Sequence, residues 1–553
     1  MKNVFLCGLL VFAVSSFLFL FRLGERSLRN PDEGRYAEIA REMTVSGRWM
    51  EPSLYEIPYW KKPFLFYWLT AGSFKLFGQN EWAARLVPAF FGILGVMAAF
   101  FFAVKVWDVR SALFSSLILT SNVWYLHVGR YLVIDMAFSF FVAAAFYLFY
   151  LGLVSEKHPA AYAAGAGVSL ALSFLAKGLG GAALFFVLVP CYGWLAGYKR
   201  QEWKRLRFPA AAALFGLLVL PWFVWAFLKE PEFFRVFFVN EHVRRFLSDQ
   251  FEHQKAWYYY GVFVFLIFLP WLLFLEPLGK AAAFFRKEAL KTPAFFMGVS
   301  AAGMLLFFSL SQSKLPTYVV PAIPLLSLLL GNGWSRWMEE EKPSTCLRRL
   351  THAGLLVLSL ASFIFALAVP WLLGSVVKRF PEGIGFYLRL IALCLMGSCL
   401  GGVVLLRKGR KGFLFGWVAL GMFLVSLTVS FAMEKMNVDY TTKPFAEALR
   451  PKLEKDSQVF IYDHPGPFYD FRFYLKHPVK LVGLAGEFET LGWDEVSSDA
   501  AIPREAFEEA LKERKRLYCL MRKSDFLGMK PELRRNLLVL REDRRKVLFE
   551  AGR

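Results

Sequence analysis

Cysteine is scarce in this 553-residue chain: six residues, at positions 7, 191, 346, 394, 399 and 519, with no C-x-x-C pair. That excludes a thiol framework for a structural metal or a dithiol redox centre, and most of the six sit in apolar stretches where a thiol packs as a small hydrophobe. Charge is also sparse, at 20% of residues, and acidic residues are the scarcer sign, 44 against 65 Lys and Arg. The resulting +21 lies mostly in short loops between apolar runs rather than on one basic face, so no nucleic-acid partner is expected. Neither an internal repeat nor a low-complexity tract is present. The N-terminus carries Lys2 before an apolar run from Phe5 to Phe21. No small-x-small cleavage site follows at Phe21-Arg22-Leu23, so an uncleaved first span is expected.

What is abundant is apolar and aromatic surface: 57% hydrophobic residues, 18% aromatic, and 60 phenylalanines. A membrane-crossing helix needs about 20 mainly apolar residues. Such runs occur at 4–21, 86–104, 111–128, 134–154, 160–176, 179–197, 208–228, 257–276, 293–310, 316–333, 353–374, 385–406 and 412–432. With the N-terminus inside, the alternate loops that share its side collect Lys199, Arg200, Lys204, Arg205 and Arg207; Lys280, Arg286, Lys287 and Lys291; Arg336, Lys342, Arg348 and Arg349; and Arg407, Lys408, Arg410 and Lys411. The positive-inside rule makes that side cytoplasmic. The outer side then receives the loops 22–85 and 229–256 and everything after 432. Beyond 432 the pattern changes to short strand-like runs, Val459–Tyr462, Val479–Val482 and Leu517–Leu520, separated by helical patterns such as 503–514. The expected architecture is an all-α polytopic membrane protein of about 13 transmembrane helices (1–432, including the loops 22–85 and 229–256) with a small α/β domain outside (433–553).

Chemistry-bearing residues concentrate on the outer side. The first loop holds Pro31, Asp32, Glu33 and Arg35, adjacent carboxylates at a helix start with a base one turn on. Further along, Tyr59 to Trp68 reads as an amphipathic stretch that holds Lys61 and Lys62 at headgroup depth. Polar groups mark outer span ends: Arg130, Tyr131 and Asp135; Lys177; Lys314 and Tyr318. Singly such groups are cheap to keep, but together they imply an outward-facing polar cavity. The loop 229–256 adds Glu241, His242 and Arg245, and a guanidinium fork suits phosphate better than a point-charge lysine. No cofactor is required. Asp135, Glu241, His242 and His253 are of the types that hold a divalent metal such as zinc, although their spacing demands none.

These motifs, PDEGRYAEIAREM at 31–43, WKKPFLFYW at 60–68, Arg130 with Asp135, FLAKG at 174–178, NEHVRRF at 240–246 and SKLPTYVVPAIP at 313–324, resemble those of GT-C glycosyltransferases. In particular they resemble the bacterial transferases that put 4-amino-4-deoxy-L-arabinose on lipid A, within the protein O-mannosyltransferase superfamily. The resemblance covers the whole membrane portion. It implies Asp32 as the catalytic acidic residue, Lys62 with Arg245 as the grip on the carrier-lipid phosphate, and Tyr59, Arg35 and Tyr318 as neighbours of that phosphate. It assigns no role to Asp135, Glu241 or His242. Lys61-Lys62-Pro63-Phe64 departs from the common KPPL of that family, so Lys61 competes with Lys62, which is favoured because it directly precedes Pro63.

Topology supplies a separate argument for the donor. Nucleotide sugars are cytoplasmic, whereas the promising residues lie outside, so the sugar is expected to arrive on a polyprenyl phosphate, which the resemblance implies is undecaprenyl phosphate. The expected acceptor is lipid A or another envelope molecule, met among the lipids of the bacterial inner membrane. Alternatives are a polyprenyl-phosphate-sugar-dependent protein O-mannosyltransferase, another cell-envelope glycosyltransferase, or a transporter of lipid-linked sugars. The last is disfavoured because unusual residues cluster at one face and no repeat is visible.

Overall fold

The protein is described by a computed structural model covering residues 2–244, 254–282, 289–340, 344–376, 381–489, 496–513 and 516–552. By its contacts the chain divides into two compact units, Met1–Arg22 with Trp60–Phe66 and Leu86–Ala432, and Leu23–Tyr59 with Tyr67–Arg85 and Met433–Arg553.

The first unit is helical because hydrocarbon offers no partner for backbone N–H and C=O groups, which must therefore be satisfied within the helix. Among the described residues nine helices are long and apolar enough to cross a membrane: Lys2–Leu20, Glu81–Val106, Asp135–Val154, Pro159–Lys177, Phe208–Lys229, Pro293–Leu310, Thr345–Gly374, Ile384–Arg407 and Lys411–Met436. The other four runs expected to span are shorter or interrupted, each for a local reason. The run 111–128 breaks where Ser121 ends Val109–Thr120 and the Asn122 side chain caps a new helix, Val123–Gly129, by accepting from the Tyr125 N–H at 3.0 Å. Gly180–Leu195 has only 16 residues. The run 257–276 is split around Pro270 into Tyr259–Ile267, a 3-10 turn at Trp271–Leu273 and Leu275–Ala282. The run 316–333 begins as a 3-10 turn, Pro316–Val319, before the helix Ala322–Met338.

Helices in this unit approach closely through small residues, as membrane packing requires. Gly331 lies against the backbone of Ser115, where a Cβ would come within 2.3 Å of the Ser115 nitrogen. Gly167 faces the Ala211 carbonyl in the same way, at 2.6 Å.

The second unit contains the helix α1 (Asp32–Ser46), a two-residue hairpin of β1 (Ser53–Leu54) and β2 (Ile57–Pro58), and a six-stranded sheet. The sheet strands are β3 (Gln458–Tyr462), β4 (Lys480–Val482), β5 (Ala501–Ile502), β6 (Leu517–Arg522), β7 (Leu538–Glu542) and β8 (Lys546–Ala551), in the order β5-β4-β3-β6-β8-β7. β5 through β6 are mutually parallel, and β8 and β7 complete the sheet antiparallel. The three strands expected from the sequence are present as β3, β4 and β6, and the helical pattern at 503–514 is the helix Arg504–Lys512. Phe460, Val482, Phe507, Cys519, Met521, Val547 and Phe549 form the buried core on one face.

A boundary at 432 divides residues that the structure groups together, since 23–59 and 67–85 share a unit with 433–553. Ion pairs and hydrogen bonds, most of them buried, tie them. Arg472 donates to Glu42 at 2.9 Å and to Glu56 at 2.5 Å, and lies 3.7 Å from Glu38. The fully buried Asp470 accepts from Thr441 and Thr442 and from the Asn30 amide. None of these partners is within reach of a local sequence pattern.

Candidate active site

Asp32 and Glu33 open α1, where unsatisfied helix N–H groups favour anions. Successive helical residues point about 100° apart, and the two carboxylates meet different environments. The Glu33 side chain is 0% exposed and accepts from Arg85 Nε at 2.7 Å and Nη2 at 2.9 Å, from Arg26 at 3.0 Å, and from the Arg29 N–H at 2.9 Å. Glu33 is therefore a structural anion rather than a cavity residue. The Asp32 side chain is 43% exposed and is held by Arg35 at 2.6 Å.

Arg35 is the hub of this cluster. It also pairs with Glu487, from the loop after β4, and lies over the Tyr36 ring at 5.2 Å. Burial works against its charge, but Tyr59, Glu487, Tyr36 and Asp32 outweigh it and raise the guanidinium pKa above its ordinary value. Burial likewise raises the Tyr59 hydroxyl, with Arg35 pulling back, so the phenol stays protonated. Tyr469, from the loop after β3, completes the group: burial and then Glu487 raise its pKa, while Arg35 and a hydrogen bond with the Glu487 backbone oppose them. Neither Tyr469 nor Glu487 stands out in the sequence. The available signal is their position in turn-rich segments, Pro465-Gly466-Pro467 and Ala485-Gly486, just past two parallel strands.

The membrane unit holds two further pairs. Lys62 donates to Glu241 at 2.5 Å, with both side chains largely buried. An aromatic nest fixes the segment carrying Lys62: Trp60 packs on Trp222, Trp225 and Phe233, and Phe64 on Trp222. Glu241 lies in a π-helix, Arg235–Arg244, the wide helical form often met at functional sites. In the second pair Lys177, at the end of one helix, donates to Asp135, at the start of another, at 2.5 Å. Its ammonium lies over the Tyr318 ring at 4.9 Å and the Phe138 ring at 5.1 Å. Asp135, Lys177 and Tyr318 thus converge from three elements.

Other expected cavity residues hold the fold. Arg130 donates to the Leu18, Phe19 and Phe21 carbonyls, closing the C-terminal end of the first helix. Lys314 is buried and donates to the Ser311 carbonyl at 2.5 Å, clasping the turn 311–314. Tyr131 stacks on His127, and Lys61 is half-buried beside Lys62. Arg245 and His253 lie outside the described residues, as does the His242 side chain. Among the described residues no three His, Cys, Asp or Glu side chains are grouped to hold a metal, and Asp135 and Glu241 each face a lysine.

The family model for dolichyl-phosphate-mannose-protein mannosyltransferase matches residues 5–237. The undecaprenyl phosphate-alpha-4-amino-4-deoxy-L-arabinose arabinosyl transferase of Shewanella sediminis is 30% identical over 535 residues, covering 93% of each chain. The chain belongs to that transferase family. Its match to the corresponding transferase 2 of Pseudomonas fluorescens is 33% identical over 317 residues, 57% of each chain. The crystal structure of ArnT from Cupriavidus metallidurans bound to undecaprenyl phosphate superposes with a TM-score of 0.82 at 26% identity, covering 98% of this chain and 97% of that one. As a member of the family the chain is a multi-pass membrane glycosyltransferase that uses a polyprenyl-phosphate-linked sugar.

Proposed function

We propose that the protein transfers 4-amino-4-deoxy-L-arabinose from undecaprenyl phosphate to lipid A at the periplasmic face of the bacterial inner membrane. The observation that carries this reading is the end-to-end likeness to an ArnT crystallised with undecaprenyl phosphate. The loop charges support the orientation, with the C-terminal unit in the periplasm.

In the transfer, the bond between the anomeric carbon and the phosphate oxygen breaks and its electron pair leaves with undecaprenyl phosphate. A lipid A phosphate oxygen forms the new bond to that carbon. Negative charge grows on the leaving phosphate, so cations aimed at it stabilise the transition state more than the ground state. Lys62 and Arg245 take that role, with Lys62 exchanging Glu241 for the phosphate. Because a lipid A phosphate is already anionic, Asp32 has little need to act as a base. Its exposed carboxylate, steered by Arg35, orients the acceptor and balances positive charge on the sugar.

The test is turnover by the purified full-length protein in detergent, with aminoarabinosyl undecaprenyl phosphate and lipid A. Mass spectrometry of the product is expected to show one added amino-pentose. Transfer to Ser or Thr of a peptide instead of lipid A overturns the acceptor assignment.

A further inference from the structure

A second charged cluster sits at the carboxyl edge of the parallel strands, apart from the residues assigned to transfer. From β3 the chain moves outward to β4 and β5, then returns to β6 on the other side of β3. The winding direction therefore reverses between β3 and β6, and in open α/β sheets ligands bind in the crevice outside the carboxyl ends of strands at such a point. Four side chains meet there: Asp463, directly after β3; Arg504, opening the helix after β5; Arg522, ending β6; and Asp525, just beyond it.

Their arrangement is layered. Asp463 accepts from Arg504 on one oxygen and from Arg522 on the other at 3.3 Å, and Asp525 accepts from Arg522 Nε at 2.7 Å. The carboxylates are 17% and 18% exposed, whereas the Arg504 and Arg522 side chains are 54% and 37% exposed. The acids are thus more buried than the two arginines they pair with and orient them, leaving both side chains partly exposed at this edge, and a guanidinium held this way is suited to a phosphate. Asp463 holds this position with φ at +62°, in the left-handed region that a non-glycine residue enters at a cost and that clusters at binding sites.

The same loops lead to the candidate catalytic acid. Gly486, at φ +65°, lies against the His464 ring. The next residue, Glu487, pairs with Arg35, which holds Asp32. The loop after β3 runs from Asp463 to Tyr469, itself beside Arg35 and Asp32. One sheet edge therefore connects two partly exposed arginines to the exposed carboxylate.

We propose that this carboxyl edge docks the phosphorylated sugar headgroup of the acceptor, with Arg504 and Arg522 clamping a phosphomonoester on it. The proposal rests on the lipid A reading for the identity of the acceptor but not for the existence of the site. It is tested on the full-length protein in detergent by the rate at which phenylglyoxal modifies each arginine, read by peptide mass spectrometry. The probes are glucosamine 1-phosphate, diphosphorylated lipid A, and lipid A stripped of phosphate.

Both phosphorylated probes are expected to slow modification of Arg504 and Arg522 at least about fivefold, and the stripped lipid to leave it unchanged. Protection by lipid A alone upholds the site and assigns it to the membrane-borne headgroup. Protection by glucosamine 1-phosphate without any transfer to lipid A also upholds the site, while removing lipid A as the acceptor. In kinetics, Arg504→Gln with Arg522→Gln is expected to raise the acceptor KM at least about tenfold and the donor KM less than about twofold, with Arg522→Lys intermediate. Absence of protection by both phosphorylated probes, equal protection by the stripped lipid, or acceptor and donor KM rising together overturns the proposal.

Discussion

Replacing Glu33 with glutamine and Asp32 with asparagine separates two adjacent carboxylates that open the same helix. Both changes remove one negative charge and preserve shape. At Glu33 the charge lost is the partner of Arg85, which is 1% exposed and bound bidentately. Arg85 retains the Leu23, Arg26 and Ser27 carbonyls and the influence of Glu81, but its buried charge loses the carboxylate it contacts. Breaking such a pair costs about 3–5 kcal/mol, and the retained carbonyls favour the lower end. A loss of about 3 kcal/mol lowers the melting temperature of a unit of this size by roughly 6–12 °C. At Asp32 the carboxylate is 43% exposed, and exposed pairs contribute about 0–1 kcal/mol, which corresponds to a shift of less than about 4 °C. Its loss is expected instead to reduce kcat by about 100-fold or more, the scale of a positioned acid–base or electrostatic group. The assay pairs thermal unfolding of the detergent-purified protein with single-turnover transfer. An unchanged melting temperature in Glu33→Gln, or full turnover in Asp32→Asn, refutes the division of labour.

Three further outcomes are expected. Burial, reinforced by Glu38, pushes the Glu42 carboxyl up to about 7, with Arg472 and Ser53 pulling back. The folded protein thus keeps a proton that the unfolded chain releases near 4.5, and raising pH from about 4.5 to about 7 removes roughly 3 kcal/mol of stability through this group. Glu42→Gln should flatten that part of the melting-temperature profile, and identical profiles in both proteins would exclude the mechanism. Lys62→Ala should lower kcat/KM for the donor by about 100-fold while acceptor binding, measured by equilibrium titration, changes little; equal losses for both substrates count against a phosphate role. Lys177→Met removes the ammonium that pairs with Asp135 and should cost about 3 kcal/mol, whereas Lys177→Met with Asp135→Asn should recover most of it; strictly additive losses in unfolding experiments would show that the two residues are not coupled.

Most of the membrane portion was legible in the sequence because long apolar runs in hydrocarbon have few structural options other than helix. Where the reading missed, at 111–128 and 257–276, one local residue decided the outcome: the Asn122 cap and Pro270 turned expected single spans into broken ones. Compact motifs hold the residues that the structure brings together. Asp32, Arg35 and Tyr59 come together, as do Lys62 with Glu241 and Lys177 with Asp135 and Tyr318.

By itself, then, the sequence determined the solvent, the helical class, the strands of the outer unit and the residue types available for phosphate chemistry, because each follows from composition and short-range periodicity. Only the tertiary structure decided which acid is exposed and which is buried. Glu33 becomes structural because Arg85, 52 residues away, closes over it, and Asp32 is steered by Arg35 because Glu487, 452 residues along from that arginine, shares the guanidinium. Burial and pairing at such separations arise from how the chain packs, and no pattern in neighbouring residues encodes them.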